Sequence, residues 1–346
     1  MLPVASSPFH LLLCRPGGEE LLQKELEALH GLFSRPVAGG VLQIESHQLP
    51  ENPLIFEWQR LPDARFFPLQ KGESLPITLV QAVWQFFTEA PTPWALHLFS
   101  LDEEGAGGSS RLSGISKALI REGNKLFPDL KKWERKPGNL FRSHKGAILQ
   151  WTCTANGFMF SANHPAGLTS SEPGGRNRMK MDSRAPSRSY LKIEEAFARL
   201  GKEPSENETV IDLGAAPGGW SFAFAKRGCQ VTAIDNGPLK IKDACIRRIE
   251  HLHRDGLSYQ LGKLQPPVDW LVGDMLIPPG KALGLLRYWV DGKHCRHLVM
   301  NIKLPQTNPL PALEPILEWM KKHSNLRVRQ FYHDRREVTI FGGVSS

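Results

Sequence analysis

The segment from Val210 to Trp220, Val-Ile-Asp-Leu-Gly-Ala-Ala-Pro-Gly-Gly-Trp, sets the narrowest limits on what this chain can form. Thr209 to Leu213 reads as a short buried strand. It runs into a turn of Gly214, Ala215, Ala216, Pro217, Gly218 and Gly219, and Trp220 to Lys226 then reads as a helix. Residues this small let a ligand approach the backbone closely. The helix that follows offers free N–H groups and a positive dipole end. Asp235 lies 23 residues after Asp212, at the end of the next strand-like run, Gln230 to Ile234. A carboxylate there can accept hydrogen bonds from ribose hydroxyls. Together these features predict a nucleoside-binding crevice at the carboxyl ends of parallel strands, against the plainer reading of a tight turn with no ligand. No Gly-Lys-Ser/Thr follows, so the turn is not a Walker loop, and Pro217 breaks the GxGxxG pattern of a dinucleotide dehydrogenase.

The rest of the second half fits this unit. Leu191 to Leu200 reads as a helix, Trp270 to Val272 and His297 to Ile302 as buried strands, and Arg327 to Tyr332 with Glu337 to Phe341 as a closing strand pair. Strands alternating with helices predict a doubly wound, mostly parallel sheet, and the closing hairpin makes the last strand antiparallel. The first half is less regular. Glu19 to Leu32 and Lys117 to Leu130 have helical spacing, and Ala147 to Ser161 reads as strand, turn, strand around Asn156-Gly157. The expected division is an α+β module over residues 1–165, a breaker-rich basic linker over 166–185 and an α/β domain over 186–346. With 346 residues, at least two domains are expected.

Composition removes several classes. Hydrophobic residues at 41% and charged residues at 23% allow a packed core and exclude global disorder. No run approaches a membrane span, and the N-terminus lacks the pattern of a secretory signal, so no membrane partner is expected. The five cysteines are scattered and none forms a CxxC pair, which points to a reducing cytoplasm and away from a cysteine zinc site or any resident metal. A formal charge of +8 favours a polyanionic partner. Two stretches concentrate it: Arg176 to Lys192, net +5, and Lys117 to Lys145, net +6.

Asp-Leu-Gly-Ala-Ala-Pro-Gly-Gly-Trp-Ser resembles the S-adenosylmethionine-binding signature of the FtsJ-like 2′-O-ribose methyltransferases. Ala185-Pro-Ser-Arg-Ser, Leu191-Lys-Ile-Glu-Glu-Ala-Phe, Asp235-Asn-Gly-Pro, Asn301-Ile-Lys-Leu-Pro and Tyr332-His-Asp-Arg-Arg-Glu-Val-Thr resemble those members that act on large-subunit ribosomal RNA. So do Leu13-Cys-Arg-Pro-Gly and Pro53-Leu-Ile-Phe in the first half. The resemblance implies a Rossmann-like methyltransferase domain preceded by a THUMP-like RNA-binding domain with a ferredoxin-like piece. It implies methylation of a ribose 2′-oxygen, at a cytidine, by a monomer.

The resemblance also implies a Lys-Asp-Lys-Glu catalytic set, which falls on Lys192, Asp274, Lys303 and Glu337. Lys303 is then the general base, Lys192 a second cation, Asp274 the group that orients Lys303, and Glu337 the group that positions Lys192 or the hydroxyl. The implied cofactor contacts are Ser189, Ala216, Pro217, Gly218, Gly219, Asp235, Asp255 and Asp274. Each residue has a plainer reading: Lys303 on the surface at a strand end, Lys192 paired with Glu194 or Glu195, Asp274 capping a loop, Glu337 paired with Arg335 or Arg327, Asp255 in a turn before Gly256. Two rival functions follow. One is a non-catalytic RNA-binding or assembly factor on the same scaffold. The other is a methyltransferase for a base, protein or small molecule. Gly273-Asp-Met-Leu-Ile-Pro-Pro lacks the aromatic residue expected for base-amine methylation. His251 and His253 read as surface residues, most tryptophans as core, and Trp133 and Trp151 as weaker candidates for base stacking.

Overall fold

A computed structural model describes residues 8–46, 48–68, 92–101, 106–154, 157–262, 265–307 and 309–344. Side chains of 106–113, 115 and 126 are not among those described. The chain forms two compact units, residues 1–176 and 177–346. Of the breaker-rich stretch between the expected domains, residues up to Arg176 belong to the first unit and the remainder to the second.

The first unit contains one seven-stranded sheet, β1 (Phe9–Leu13), β2 (Ser34–Ala38), β3 (Val41–Ile44), β4 (Gln59–Pro68), β5 (Trp94–Ser100), β6 (Ala147–Thr154) and β7 (Gly157–Asn163), in the order β2-β3-β1-β4-β7-β6-β5. Its described helices are α1 (Glu19–His30), α2 (Ala106–Leu126), α3 (Leu130–Trp133) and α4 (Pro137–Ser143). The expected hairpin is β6 and β7, paired antiparallel from Ile148↔Asn163 to Thr154↔Gly157; Asn156 lies outside the described residues. The helix expected over Lys117 to Leu130 begins earlier and breaks at Phe127 and Pro128. Trp151 is fully buried among Phe158, Phe160 and Leu149, and Trp133 packs against that cluster, so both serve the core.

The second unit holds α5 (Tyr190–Leu200), β8 (Thr209–Leu213), α6 (Gly219–Ala225), β9 (Gln230–Ile234), β10 (Ile249–Leu252), β11 (Val268–Gly273), α7 (Pro279–Leu286), β12 (Cys295–Lys303), α8 (Pro309–Met320), β13 (Leu326–Arg329) and β14 (Glu337–Gly343). The sheet order is β10-β9-β8-β11-β12-β14-β13. The ladders β10–β9, β9–β8, β8–β11 and β11–β12 are parallel, and β14 runs antiparallel to both β12 and β13. This is the predicted α/β arrangement with an antiparallel last strand. Alternate strand residues face opposite sides. Val210, Trp270, Val272, Val299 and Phe341 join Phe197, Phe222 and Phe224 of α5 and α6 in one cluster. Ile211, Leu271, Leu298 and Ile340, on the other face, are buried as well. A parallel sheet covered on both faces follows from these near-continuous apolar strands. No helix among the described residues is long and apolar enough to cross a membrane.

The sheet positions the chemistry. β8, β11 and β12 end at Leu213, Gly273 and Lys303, and antiparallel β14 begins at Glu337 opposite Lys303. The glycine turn, Asp274, Lys303 and Glu337 therefore meet along one edge, which is where ligands enter open parallel sheets.

Candidate active site

The turn after β8 is shaped by residues that leave no room for side chains. Gly214 has φ +75°, and a Cβ there would lie 2.3 Å from Met275 Cγ. Gly218 has φ +107°, and a Cβ would meet Ile241 Cδ1 at 2.7 Å. At Gly219 a Cβ would lie 2.5 and 2.6 Å from the hydroxyls of Ser187 and Ser189. The Ala216–Pro217 peptide is cis. Asp235 closes the turn: Oδ2 accepts from Ala216 N at 3.0 Å and Oδ1 from Gly237 N at 2.6 Å. Each oxygen retains a lone pair for a further donor. Ser189 stands just before α5, its carbonyl accepting from Trp220 Nε1 at 2.8 Å. Asp255 is exposed and its Oδ1 accepts from Leu257 N at 3.0 Å, so it shapes a turn. The neighbouring Gly256 lies against Gly214, its Cβ position 3.3 Å from Gly214 N.

Beside the turn, side chains from α5, β12, β14 and the chain just after β11 form one ionic cluster. Asp274 bridges two lysines: Lys303 Nζ donates to Oδ1 at 2.8 Å, and Lys192 Nζ donates to Oδ2 at 3.4 Å. Lys192 also donates to Glu337 Oε1, and Lys303 lies 3.6 Å from Glu337 Oε2. The two lysines differ in access, with side-chain exposures of 10% for Lys192 and 22% for Lys303. Burial disfavours the Lys192 ammonium, but the charges of Asp274, Asp334 and Glu337 outweigh it and hold its pKa above the ordinary lysine value. Burial raises Glu337, but Lys192 and then Lys303 more than offset this and hold it below the usual carboxylate range.

The plainer pairings give way to others. Glu195 is fully buried and accepts from Tyr332 N at 3.1 Å, His333 N at 3.2 Å and Arg199 Nε at 2.9 Å. Glu194 accepts from Arg227 at 2.7 and 2.8 Å. Both acids are thus committed to partners other than Lys192. Of the two histidines expected at the surface, His253 is exposed and His251 half-buried. Their rings are 4.1 Å apart, with His251 on β10 and His253 one residue past its end. His251 Nε2 lies 3.0 Å from the Asp235 carbonyl, which ties it to the end of β9 beside the turn.

Several residues that shape the site were not expected from the sequence. Ser221 Oγ donates to Asp212 at 2.6 Å, fastening β8 to α6. Asn301, Thr339 and Asp334 form a buried polar group behind Lys303 and Glu337. A signal for two of them is present in the sequence. Asn301 precedes Lys303 by two residues and Thr339 follows Glu337 by two, so on strands each shares a face with the charged residue.

Comparison with known proteins places this geometry. The FtsJ-like methyltransferase family matches residues 185–339, which contain the turn and all four members of the ionic cluster. The ribosomal RNA large subunit methyltransferase M of Azoarcus sp. (strain BH72) is 41% identical over 181 residues, 49% of this chain and 49% of that protein. That of Thauera aminoaromatica is 38% identical over 202 residues, 53% of this chain and 55% of the relative. In these two matches the chain spans about half of the relative's length. The corresponding protein of Laribacter hongkongensis (strain HLHK9) is 39% identical over 358 residues, covering 96% of this chain and 95% of the relative. With that identity sustained along nearly both full chains, and with an FtsJ-like domain in its second unit, the chain belongs to the family of ribosomal RNA large subunit methyltransferase M.

Proposed function

We propose that the protein transfers the methyl group of S-adenosylmethionine to a ribose 2′-oxygen of large-subunit ribosomal RNA, at a cytidine, in the cytoplasm. The observation that carries this reading is the cluster of Lys192, Asp274, Lys303 and Glu337 at the sheet edge that also bears the glycine turn. The turn fits a nucleoside cofactor. Its backbone has no side chain between Gly219 and the Ser187 and Ser189 hydroxyls, and Asp235 keeps acceptor capacity for ribose hydroxyls. Ser189, Ala216, Pro217, Gly218, Gly219 and Asp235 would hold the cofactor, with Asp255 toward the adenine. Bound there, S-adenosylmethionine supplies a methyl group made electrophilic by its sulfonium.

The remaining work falls to the chain. A ribose hydroxyl is a poor nucleophile and must lose its proton as it attacks. Lys303, the more accessible lysine, takes that proton on Nζ. Lys192 remains a cation between Asp274 and Glu337 and is the second positive charge of the site. Asp274 fixes the direction of the Lys303 side chain. Glu337 fixes Lys192. Alignment of oxygen with methyl carbon supplies much of the remaining acceleration.

The first unit is assigned the role of RNA recruitment, as a THUMP-type module. All nine basic residues between Lys117 and Lys145 are exposed, as phosphate contacts require. In the second unit Arg178, Lys180, Arg184 and Arg188 are exposed ahead of α5.

Incubation with isotopically labelled methyl donor and unmodified large-subunit RNA, followed by nuclease mapping, tests the reading. Label is expected on one ribose 2′-oxygen. Lys303→Ala should reduce transfer by at least about a thousandfold while cofactor affinity stays within about twofold. Label on a base or on protein, or full activity in Lys303→Ala, would overturn it.

A further inference from the structure

We propose that Asp334 is a positioning residue for methyl transfer, its buried carboxyl group locking the Lys303–Glu337 rung and helping to keep Lys192 charged. This inference rests on the proposed role of Lys303. Two adjacent cross-strand pairs share one face of the sheet: Lys303 opposite Glu337, and Asn301 opposite Thr339. Asp334, only 2% exposed, joins the second pair from the connection between β13 and β14. Its Oδ1 accepts from Asn301 Nδ2 at 3.0 Å, and its Oδ2 accepts from Thr339 Oγ1 at 3.0 Å and from Phe331 N at 2.9 Å. Asn301 Nδ2 reaches Thr339 Oγ1 at 3.2 Å, which closes a ring of three side chains. The same connection is gripped from α5 by Glu195 through Tyr332 N and His333 N. Glu195 lies one helical turn from Lys192. The helix carrying one lysine and the rung carrying the other are thus fastened to one short segment.

Donors converge on both Asp334 oxygens, from Asn301, Thr339 and the Phe331 amide, and an amide in its place would set its NH2 against one of them, so the site is built for a carboxyl group that can carry charge. The charged groups that act on it are Lys192 and Glu195 from α5 and Glu337 from β14; β12 contributes the neutral Asn301. Burial pushes the Asp334 pKa up to about 8, against the attraction of Lys192 and the Phe331 amide. Once ionised, as pH rises through that value, its charge is one of the three that hold Lys192 protonated.

Asp334→Asn keeps the volume and removes the charge, and its new Nδ2 can be met by Asn301 Oδ1, which is buried without a hydrogen-bond partner, once that amide turns over. Lys192 should then release its proton more readily, so the pH dependence of kcat should move to lower pH by roughly one unit. The plateau kcat should fall about tenfold, because a weakened second cation and a less firmly held rung align and activate the hydroxyl less well. KM for methyl donor and RNA should stay within about twofold, since a side chain this buried reaches neither. Thr339→Val removes one donor to the carboxylate and should shift the profile in the same direction by less, which carries the test if the first variant does not fold. Profiles of both variants superimposed on wild type, or a raised KM with unchanged kcat, would overturn the proposal. A flat profile in the wild type would instead remove the base assignment at Lys303, and this inference with it.

Discussion

Lys192 and Asp212 are both buried, yet they are driven toward opposite charge states. Around Lys192 three carboxylates outweigh desolvation and the ammonium persists. Asp212 is 1% exposed at the centre of β8, and its hydrogen bond from Ser221 does not offset burial. Desolvation first, then the nearby charges of Asp274 and Asp235, push its pKa up to about 7. An unfolded chain holds the same carboxyl near the ordinary value of about 4. Between those two values the unfolded state has lost its proton while the folded state keeps it, so stability drains away as pH rises from about 4 to 7. Asp212→Asn removes this dependence while its amide oxygen still accepts from Ser221. Chemical denaturation at several pH values should show the variant gaining on wild type by a few kcal/mol, on the order of 1.4 per pH unit, across that window. A difference that stays constant with pH would show that Asp212 does not titrate there.

The turn between β8 and α6 acts as an element because its glycines face different neighbours. Gly214 abuts the chain after β11, Gly218 abuts Ile241, and Gly219 abuts the residues that begin α5. Gly219→Val would push the Ser187–Tyr190 segment, and with it Lys192, away from the turn. Overpacking of this kind costs about 1–3 kcal/mol of stability. Calorimetric titration should show at least about tenfold weaker binding of S-adenosylmethionine, and unaltered affinity would remove the turn from the cofactor site. This element was legible in the sequence because strand, small-residue turn and next-strand aspartate have a fixed order, and β8 and β9 begin and end where apolar patterning puts them. Other elements were masked. β10 carries Glu250 and His251 in a four-residue strand, too short and polar for alternation to stand out. α7 opens on Pro279-Gly280, and α8 carries Pro309, Pro311 and Pro315, so breaker residues hid their helical spacing. In the ring of Asn301, Thr339 and Asp334, alternation marks the first two, but their pairing depended on strand register and Asp334 lies on a connection where no alternation marks it.

At the scale of the whole chain, each unit carries its own seven-stranded sheet and its own buried clusters. The ionic cluster, the glycine turn and Asp235 all lie in residues 177–346, while the stretch of nine exposed cations lies in residues 1–176. A domain with an independent core can fold alone. Residues 177–346 expressed separately should therefore unfold in one cooperative transition and bind S-adenosylmethionine with nearly the affinity of the full chain. Binding to RNA is another matter, because affinity for a polyanion falls with every phosphate contact removed. If the first unit supplies those contacts, the fragment should methylate large-subunit RNA with kcat/KM lower by about a hundredfold or more. Raising salt should inhibit the full-length protein more steeply than the fragment, since the slope of affinity against salt follows the number of phosphates neutralised. Equal kcat/KM and equal salt slopes would place RNA recognition within the catalytic unit, on the exposed basic residues ahead of α5.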